Sequence, residues 1–370
     1  MKILYISSLR YLSSHFLNGW KNCFERLGYG FKYLNPDVDN NINEYLKSHK
    51  VDFLFTYSNE GLIKLDHKIL NKNQIKLVVG ALPYNRFNIS FDKHCPLMGS
   101  EEINILEKVD NKIVWSQHEP EFNDFFYSGF LTRDIPVIYL PHCADITQII
   151  ELRYDKNLNY DLFFIGNLGH KKNNIKLLKT IFSYTDIKKI KIIGDKLWKK
   201  YFNIKIEGST KNEEWKKYYS QSLISINLHT KRQKKHQVLL NDRTFHIPIY
   251  GGFQICDNPL ANKFFKNDEI IVAENEKSFI EFYNYFRTKP DERFEYIKKG
   301  YNRVVKDHSY FNRWLTILSH FDVKYSDIYL KTNIFSDHIN KSLDLKQIMN
   351  YYIESKSFQF AKKIKKWIQK

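Results

Sequence analysis

The chain has 370 residues, with 58 Lys plus Arg against 41 Asp plus Glu and a net charge of +17 at pH 7. That length exceeds one ordinary core and suffices for two domains, and a composition 43% hydrophobic and 16% aromatic excludes a disordered chain. The charge invites an anionic partner, but lysine is frequent throughout, alongside Asn, Ile and Tyr as in a biased genome, so charge alone selects none.

Four cysteines, Cys23, Cys95, Cys143 and Cys256, stand without any C-x-x-C, which argues against a disulfide framework or a zinc site and fits a reducing cytoplasm. The apolar run in "MKILYISSLR" is too brief for a secretory segment, and no later run reaches the length of a membrane span. The expectation is a cytoplasmic chain.

"MKILYIS" reads as a buried strand, and "HFLNGWKNCFERLGYG" as a helix with Phe16, Trp20, Phe24 and Leu27 at helical spacing. "FKYLN", "VDFLFTYS", "IKLVVGAL" and "NKIVWSQHEP" are further short apolar runs, which together predict a parallel sheet with helices on both faces. "IPVIYLPHCADITQII" reads as a last strand and a turn, after which "YDLFFIGNLGHKKNNIKLLKTIF" restarts the rhythm of strand, glycine loop and helix. The expected division is an N-terminal lobe over 1–145, a second α/β lobe over 146–318, and a helical extension over 319–370. The last helix carries Phe360, Ile364, Trp367 and Ile368 on one face and lysines opposite, suited either to packing on the body or to an anionic membrane surface.

Ligands of open α/β sheets bind where strand carboxyl ends lead into helix N-termini. Three such places stand out. In "FFIGNLGHKKNN", Gly166 and Gly169 would let backbone approach a ligand, with Lys171 or Lys172 reaching a phosphate, although a plain tight turn also fits. In "NLHTKRQKKHQ", Lys231, Arg232, Lys234 and Lys235 form either a phosphate clamp or a solvated basic loop. In "NDRTFHIPIYGGFQICD", Asn241 or Asp242 can cap a short helix, Arg243 and His246 lie three apart, and Gly251-Gly252 allow passage into the next strand. In the first half, His118 and Glu119 follow a strand, where a His could orient an acceptor, act as base, or be an ordinary loop residue.

The only D-x-D, Asp37-Val-Asp39, sits in a polar loop that reads as a solvated turn rather than a metal site. No Walker loop, H-E-x-x-H or G-x-S-x-G occurs, which removes NTP hydrolysis, zinc peptidase and esterase chemistry from consideration.

"LNDRTFHIPIYGGFQICD" resembles the N-x-R-T-F-E-I-P-A-x-G-G-F signature of CgeB-like glycosyltransferases of the GT-B fold, and "YDLFFIGNLGHKK", "EWKKYYSQSLISINLH", "VIYLPHCADITQI" and "FRTKPDERFEYIKKGYNRVVKDHSYFNR" resemble neighbouring blocks of that family in order. The resemblance spans roughly residues 135 to 315. It implies two Rossmann-like lobes facing a cleft, a nucleotide sugar held mainly by the second and an acceptor by the first. Donor-binding residues would be Gly166, Asn167, Lys172, Lys231, Arg232, Asn241, Arg243, His246, Gly251 and Gly252, with His118 catalytic and neither metal nor cofactor required.

Two departures qualify the match. His246 replaces the usual glutamate that accepts from ribose hydroxyls, and Asn167 replaces an arginine that meets donor phosphates in related retaining enzymes, while Lys172 keeps the lysine. The implied function is metal-independent, retaining sugar transfer from a nucleotide donor to a saccharide, glycolipid or glycan acceptor. A GT-B-like nucleotide- or glycan-binding assembly protein without transferase activity is the alternative. A nucleic-acid partner would need a basic stripe with stacking aromatics, which the dispersed lysines do not supply.

Overall fold

The computed structural model describes residues 1–8, 14–57, 61–85, 97–120, 125–150, 152, 158–168, 174–208, 213–236 and 239–323. The chain forms two compact units: Met1–Pro141 together with the described residues from Tyr310 onward, and His142–Ser309. The expected extension beyond Val323, with its basic last helix, lies outside the described residues.

The first unit is a six-stranded, wholly parallel sheet of β1 (Lys2–Ile6), β2 (Gly30–Leu34), β3 (Phe53–Tyr57), β4 (Lys76–Gly80), β5 (Lys112–Ser116) and β6 (Val137–Tyr139), in the order β2-β1-β3-β4-β5-β6. The central strands are apolar runs because both faces are covered. On one face lie Leu4, Ile6, Leu54, Leu77 and Val79, in one core with Leu46, Leu70 and Leu106 from the helices α2 (Ile42–Ser48), α3 (His67–Lys72) and α4 (Ser100–Lys108). On the other, Tyr5 stacks on Phe55, and Phe55 meets Trp20 and Phe24 of α1 (Ser14–Arg26). A short helix α5 (Ser128–Leu131) precedes β6.

The second unit repeats the plan. Its strands β7 (Tyr160–Ile165), β8 (Ile190–Ile193), β9 (Ile206–Glu207), β10 (Ser222–Asn227), β11 (Gln254–Cys256) and β12 (Ile271–Val272) are parallel, in the order β12-β11-β10-β7-β8-β9. Strand alternation sorts β7 between two cores. Leu162 and Phe164 pack with α6 (Ile175–Ser183) and α10 (Glu276–Phe286). Phe163 packs with α7 (Trp215–Ser220), α9 (Arg243–Ile249) and α11 (Pro290–Asp307). A helix α8 (Lys231–His236) follows β10.

The boundary differs from the sequence expectation of 145/146. Contacts divide the chain at Pro141/His142, and α12 (Tyr310–His320), expected at the end of the second lobe, belongs to the first unit. The reason is aromatic burial: Trp314 lies 4.8, 5.1 and 6.0 Å from the rings of Phe53, Phe24 and Phe55. Gly19 of α1 leaves the room that the Tyr310 ring fills, since a Cβ there would lie 2.1 Å from the ring.

Candidate functional site

In the second sheet the chain winds outward from β7 through β8 to β9, then crosses over to β10 and winds the other way. The switch point therefore lies between β7 and β10, and the crevice outside their carboxyl ends is where this topology places ligands.

Arg243, the first residue of α9, braces that crevice. It donates from Nη1 to the carbonyl of Ile165 at 2.8 Å and from Nη2 to the carbonyl of Leu228 at 2.9 Å, joining the ends of the two strands. Asn241 donates to the same Leu228 carbonyl at 3.3 Å. The helix cap expected from Asn241 or Asp242 does not form, because the Asn241 side chain is drawn to Leu228 and Asp242, in the N-cap position, has helical backbone and no capping bond.

Beside the brace is a buried polar network of which the residue patterns singled out only Lys234. His229, two residues past β10, is fully buried, and Asp257, one residue past β11, is nearly so. Asp257 Oδ1 accepts from the main-chain N–H of His229 and lies 2.8 Å from its Nδ1. Asp257 Oδ2 accepts from Lys234 Nζ at 2.8 Å. The ammonium also donates to Asn174 Oδ1 at 3.2 Å, and Asn174 Nδ2 donates to the carbonyl of His229. Asn174 immediately precedes α6, so the network ties the ends of β10 and β11 to the start of a helix on the other side of the switch point.

The electrostatics follow from burial. Burial pushes the Asp257 carboxyl up, but its hydrogen bonds to His229 and Lys234 and the charge of Lys234 outweigh it and hold it below the ordinary carboxylate range. Burial also pulls His229 down despite Asp257, so the ring is neutral, with its proton on the Nδ1 that faces the carboxylate. Nε2 is then an acceptor, and among the described residues it is buried without a partner, as are Asn241 Oδ1, Arg243 Nε and Asn258 Nδ2. Buried polar atoms normally find a partner. All four atoms lie on residues that follow β10 or β11.

The sequence-predicted residues are only partly gathered. Gly166 has a φ of 149°, and its carbonyl accepts from Trp198 Nε1, while Asn167 is exposed at the end of β7. Lys231 is exposed on α8; Lys172 and the Arg232 side chain lie outside the described residues. His246 is 7% exposed, its ring 6.2 Å from Trp215 and 6.3 Å from Tyr250. Gly251 and Gly252 fall at the other end of the sheet. They follow α9 and precede β11, and a Cβ on Gly251 would stand 3.4 Å from Ser220, just before β10 begins. Gly251 takes φ 69° for the turn, and Gly252 is pressed against Ile247 and Tyr219. The pair serves the turn between α9 and β11, which explains glycine there without a ligand.

In the first unit His118 lies just past the carboxyl end of β5. Its Nδ1 is 3.2 Å from the hydroxyl of buried Tyr127, which donates to the Ala81 carbonyl, and its main-chain N–H donates to Ser116 Oγ. Buried Glu119 accepts from the Tyr139 hydroxyl, whose pKa burial and that carboxylate drive upward. Asp37 and Asp39 accept from Ser8 Oγ and the Asn35 main chain, as in a turn. Among the described residues no group of three or more His, Cys, Asp or Glu is arranged to hold a metal. No described helix is long and apolar enough to cross a membrane.

Residues 173–319 match the family described as glycosyl transferase-like, a span that contains the whole network from Asn174 to Asp257. No curated protein matches the sequence. Among solved structures, the DNA-modifying enzyme β-glucosyltransferase, determined with and without its substrate uridine diphosphoglucose, is similar at 13% identity with a TM-score of 0.54, over 87% of this chain and 100% of that one. The N-terminal domain of Candida albicans trehalose-6-phosphate phosphatase is similar at 10% identity and TM-score 0.56, over 86% and 97%. TarM is similar at 15% identity and TM-score 0.50, over 74% of this chain and 57% of that one. At such identities the likeness is one of fold, and the two parallel α/β units are of the GT-B class.

Proposed function

We propose that this protein transfers a sugar from a nucleotide-sugar donor to a saccharide, glycolipid or glycan acceptor, without a catalytic metal and with retention at the anomeric carbon. The observation that carries the reading is the preorganised polar network at the switch point of the second unit, inside the span that matches a glycosyl transferase-like family. Fixed donors at that edge suit the negative charge that develops on a departing nucleotide. A cytoplasmic place in glycan or polysaccharide synthesis accords with this chemistry.

In this reading the second unit holds the donor. Arg243 fixes the width of the crevice at whose edge the nucleotide is bound. His118, whose Nδ1 is held by Tyr127, orients the acceptor or takes its proton.

The direct test is calorimetric titration of the purified protein with UDP, GDP, CMP and ADP, with and without a divalent cation. Metal-independent binding of one nucleotide, followed by release of that nucleotide from its sugar conjugates, is the expected result. Absence of binding to all four would sink the proposal. A second reading, a nucleotide-binding assembly protein, is favoured by two features: Asn167 is neutral, and each terminal nitrogen of Arg243 spends one N–H on a main-chain carbonyl. Binding without turnover across a panel of acceptors would identify it.

A further inference from the structure

A nucleotide brings negative charge to an edge where Asn167 is neutral and Arg243 is engaged with carbonyls. Lys234 stands differently. Its ammonium is suspended between Asp257, at the end of β11, and Asn174, before α6. An ammonium has three donors, and these contacts use two of them. The side chain is 33% exposed, so the lysine stands at the surface of the network rather than inside it.

Asp257 does not swing away with the lysine. Its side chain is 5% exposed, and its other oxygen is fixed by the ring and the main-chain N–H of His229. An untethered lysine loses rotamer freedom when it meets a ligand. One already anchored to a buried carboxylate has lost that freedom on folding and is preorganised for contact. Lys231, three residues earlier, is exposed on α8 and has no such anchor among its described contacts.

Resting on the donor-binding reading of this edge, we propose that Lys234 contacts the phosphate oxygens of the nucleotide, with Asp257 as the positioning residue that holds it and His229 as the residue that holds Asp257. Selectivity for a nucleotide over its own nucleoside is then set by an ammonium on α8.

The test compares each of UDP, GDP, CMP and ADP with its nucleoside by calorimetry, in the unmodified protein and in Lys234→Gln, Lys234→Arg, Asp257→Ala and the Lys234→Gln/Asp257→Ala pair, with Lys188→Ala as a distant control. Lys234→Gln is expected to lower the ratio of nucleotide to nucleoside affinity by about tenfold or more, the scale of a hydrogen bond to a charged group, and to leave nucleoside affinity unchanged. Lys234→Arg is expected to keep most of the ratio. The double variant is expected to lose no more than Lys234→Gln alone, because the carboxylate acts through the lysine. Additive losses would overturn the positioning role, and an unchanged ratio in Lys234→Gln would overturn the proposal while leaving donor binding intact. Failure of the unmodified protein to bind any nucleotide would remove the reading beneath it. A measurement independent of variant folding is acetylation footprinting of the unmodified protein: the bound nucleotide should protect Lys234 and leave Lys188 reactive, and no protection would count against the contact.

Discussion

Nδ1 of His229 and Oδ1 of Asp257 lie 2.8 Å apart in the interior of the second unit, and the same oxygen accepts the His229 main-chain N–H. Removing the carboxylate strands the Lys234 ammonium and two donors. Asp257→Ala is expected to destabilise the second unit by about 3–5 kcal/mol, as for other broken buried pairs. Urea unfolding of the purified variant measures it, and a loss below about 1 kcal/mol would show the network to be incidental.

The neutral state of His229 makes stability depend on pH. Its folded pKa is depressed, so below the ordinary histidine pKa of about 6.5 the unfolded chain binds the proton and the folded chain does not. Stability is therefore full above that pH and falls as pH drops through it. The depressed Asp257 pKa adds a loss in the same direction further into acid. His229→Gln is expected to lower overall stability but flatten the slope of thermal midpoint against pH below about 6.5. An unaltered slope would mean that other groups dominate.

Arg243 braces the ends of β7 and β10. Arg243→Ala frees the carbonyls of Ile165 and Leu228 and is expected to cost about 1.5–3 kcal/mol for each charged hydrogen bond lost. Nucleotide titration of this variant is informative only alongside its melting curve. A variant as stable as the parent would contradict the bracing role.

Trp314 tests the unit boundary. Trp314→Ala empties a site lined by Phe24, Phe53 and Phe55 and is expected to cost about 3–5 kcal/mol. Hydrogen exchange should report the loss in β1 and β3 of the first unit. Loss confined to His142–Ser309 would contradict the assignment of α12.

Gly252→Ala would place a Cβ 2.7 Å from Ile247 Cγ2. Overpacking of this kind is expected to cost about 1–3 kcal/mol. Because Gly252 lies at the amino end of β11, the folded fraction should bind nucleotide as the parent does. Weakened binding in the folded fraction would return the glycine pair to the ligand site.

Two α/β units were legible in the sequence because a strand buried on both faces needs a continuous apolar run, and runs such as "KILYI", "YDLFFI" and "LISIN" have no other economical reading. The turn at Gly251 was likewise written locally, in glycine chemistry.

Tertiary structure alone decided where the polar groups meet. His229 and Asp257 are 28 residues apart in sequence and adjacent only because β10 and β11 pair in register, Asn227 beside Cys256, which carries both residues past the same sheet edge. The abrupt polar endings of "INLH" and "QICD" were the available signal, and strand order was needed to join them. The same holds for α12: an amphipathic helix shows which face it buries, whereas the surface that receives it is set by long-range packing, here the aromatic layer of Phe24, Phe53 and Phe55.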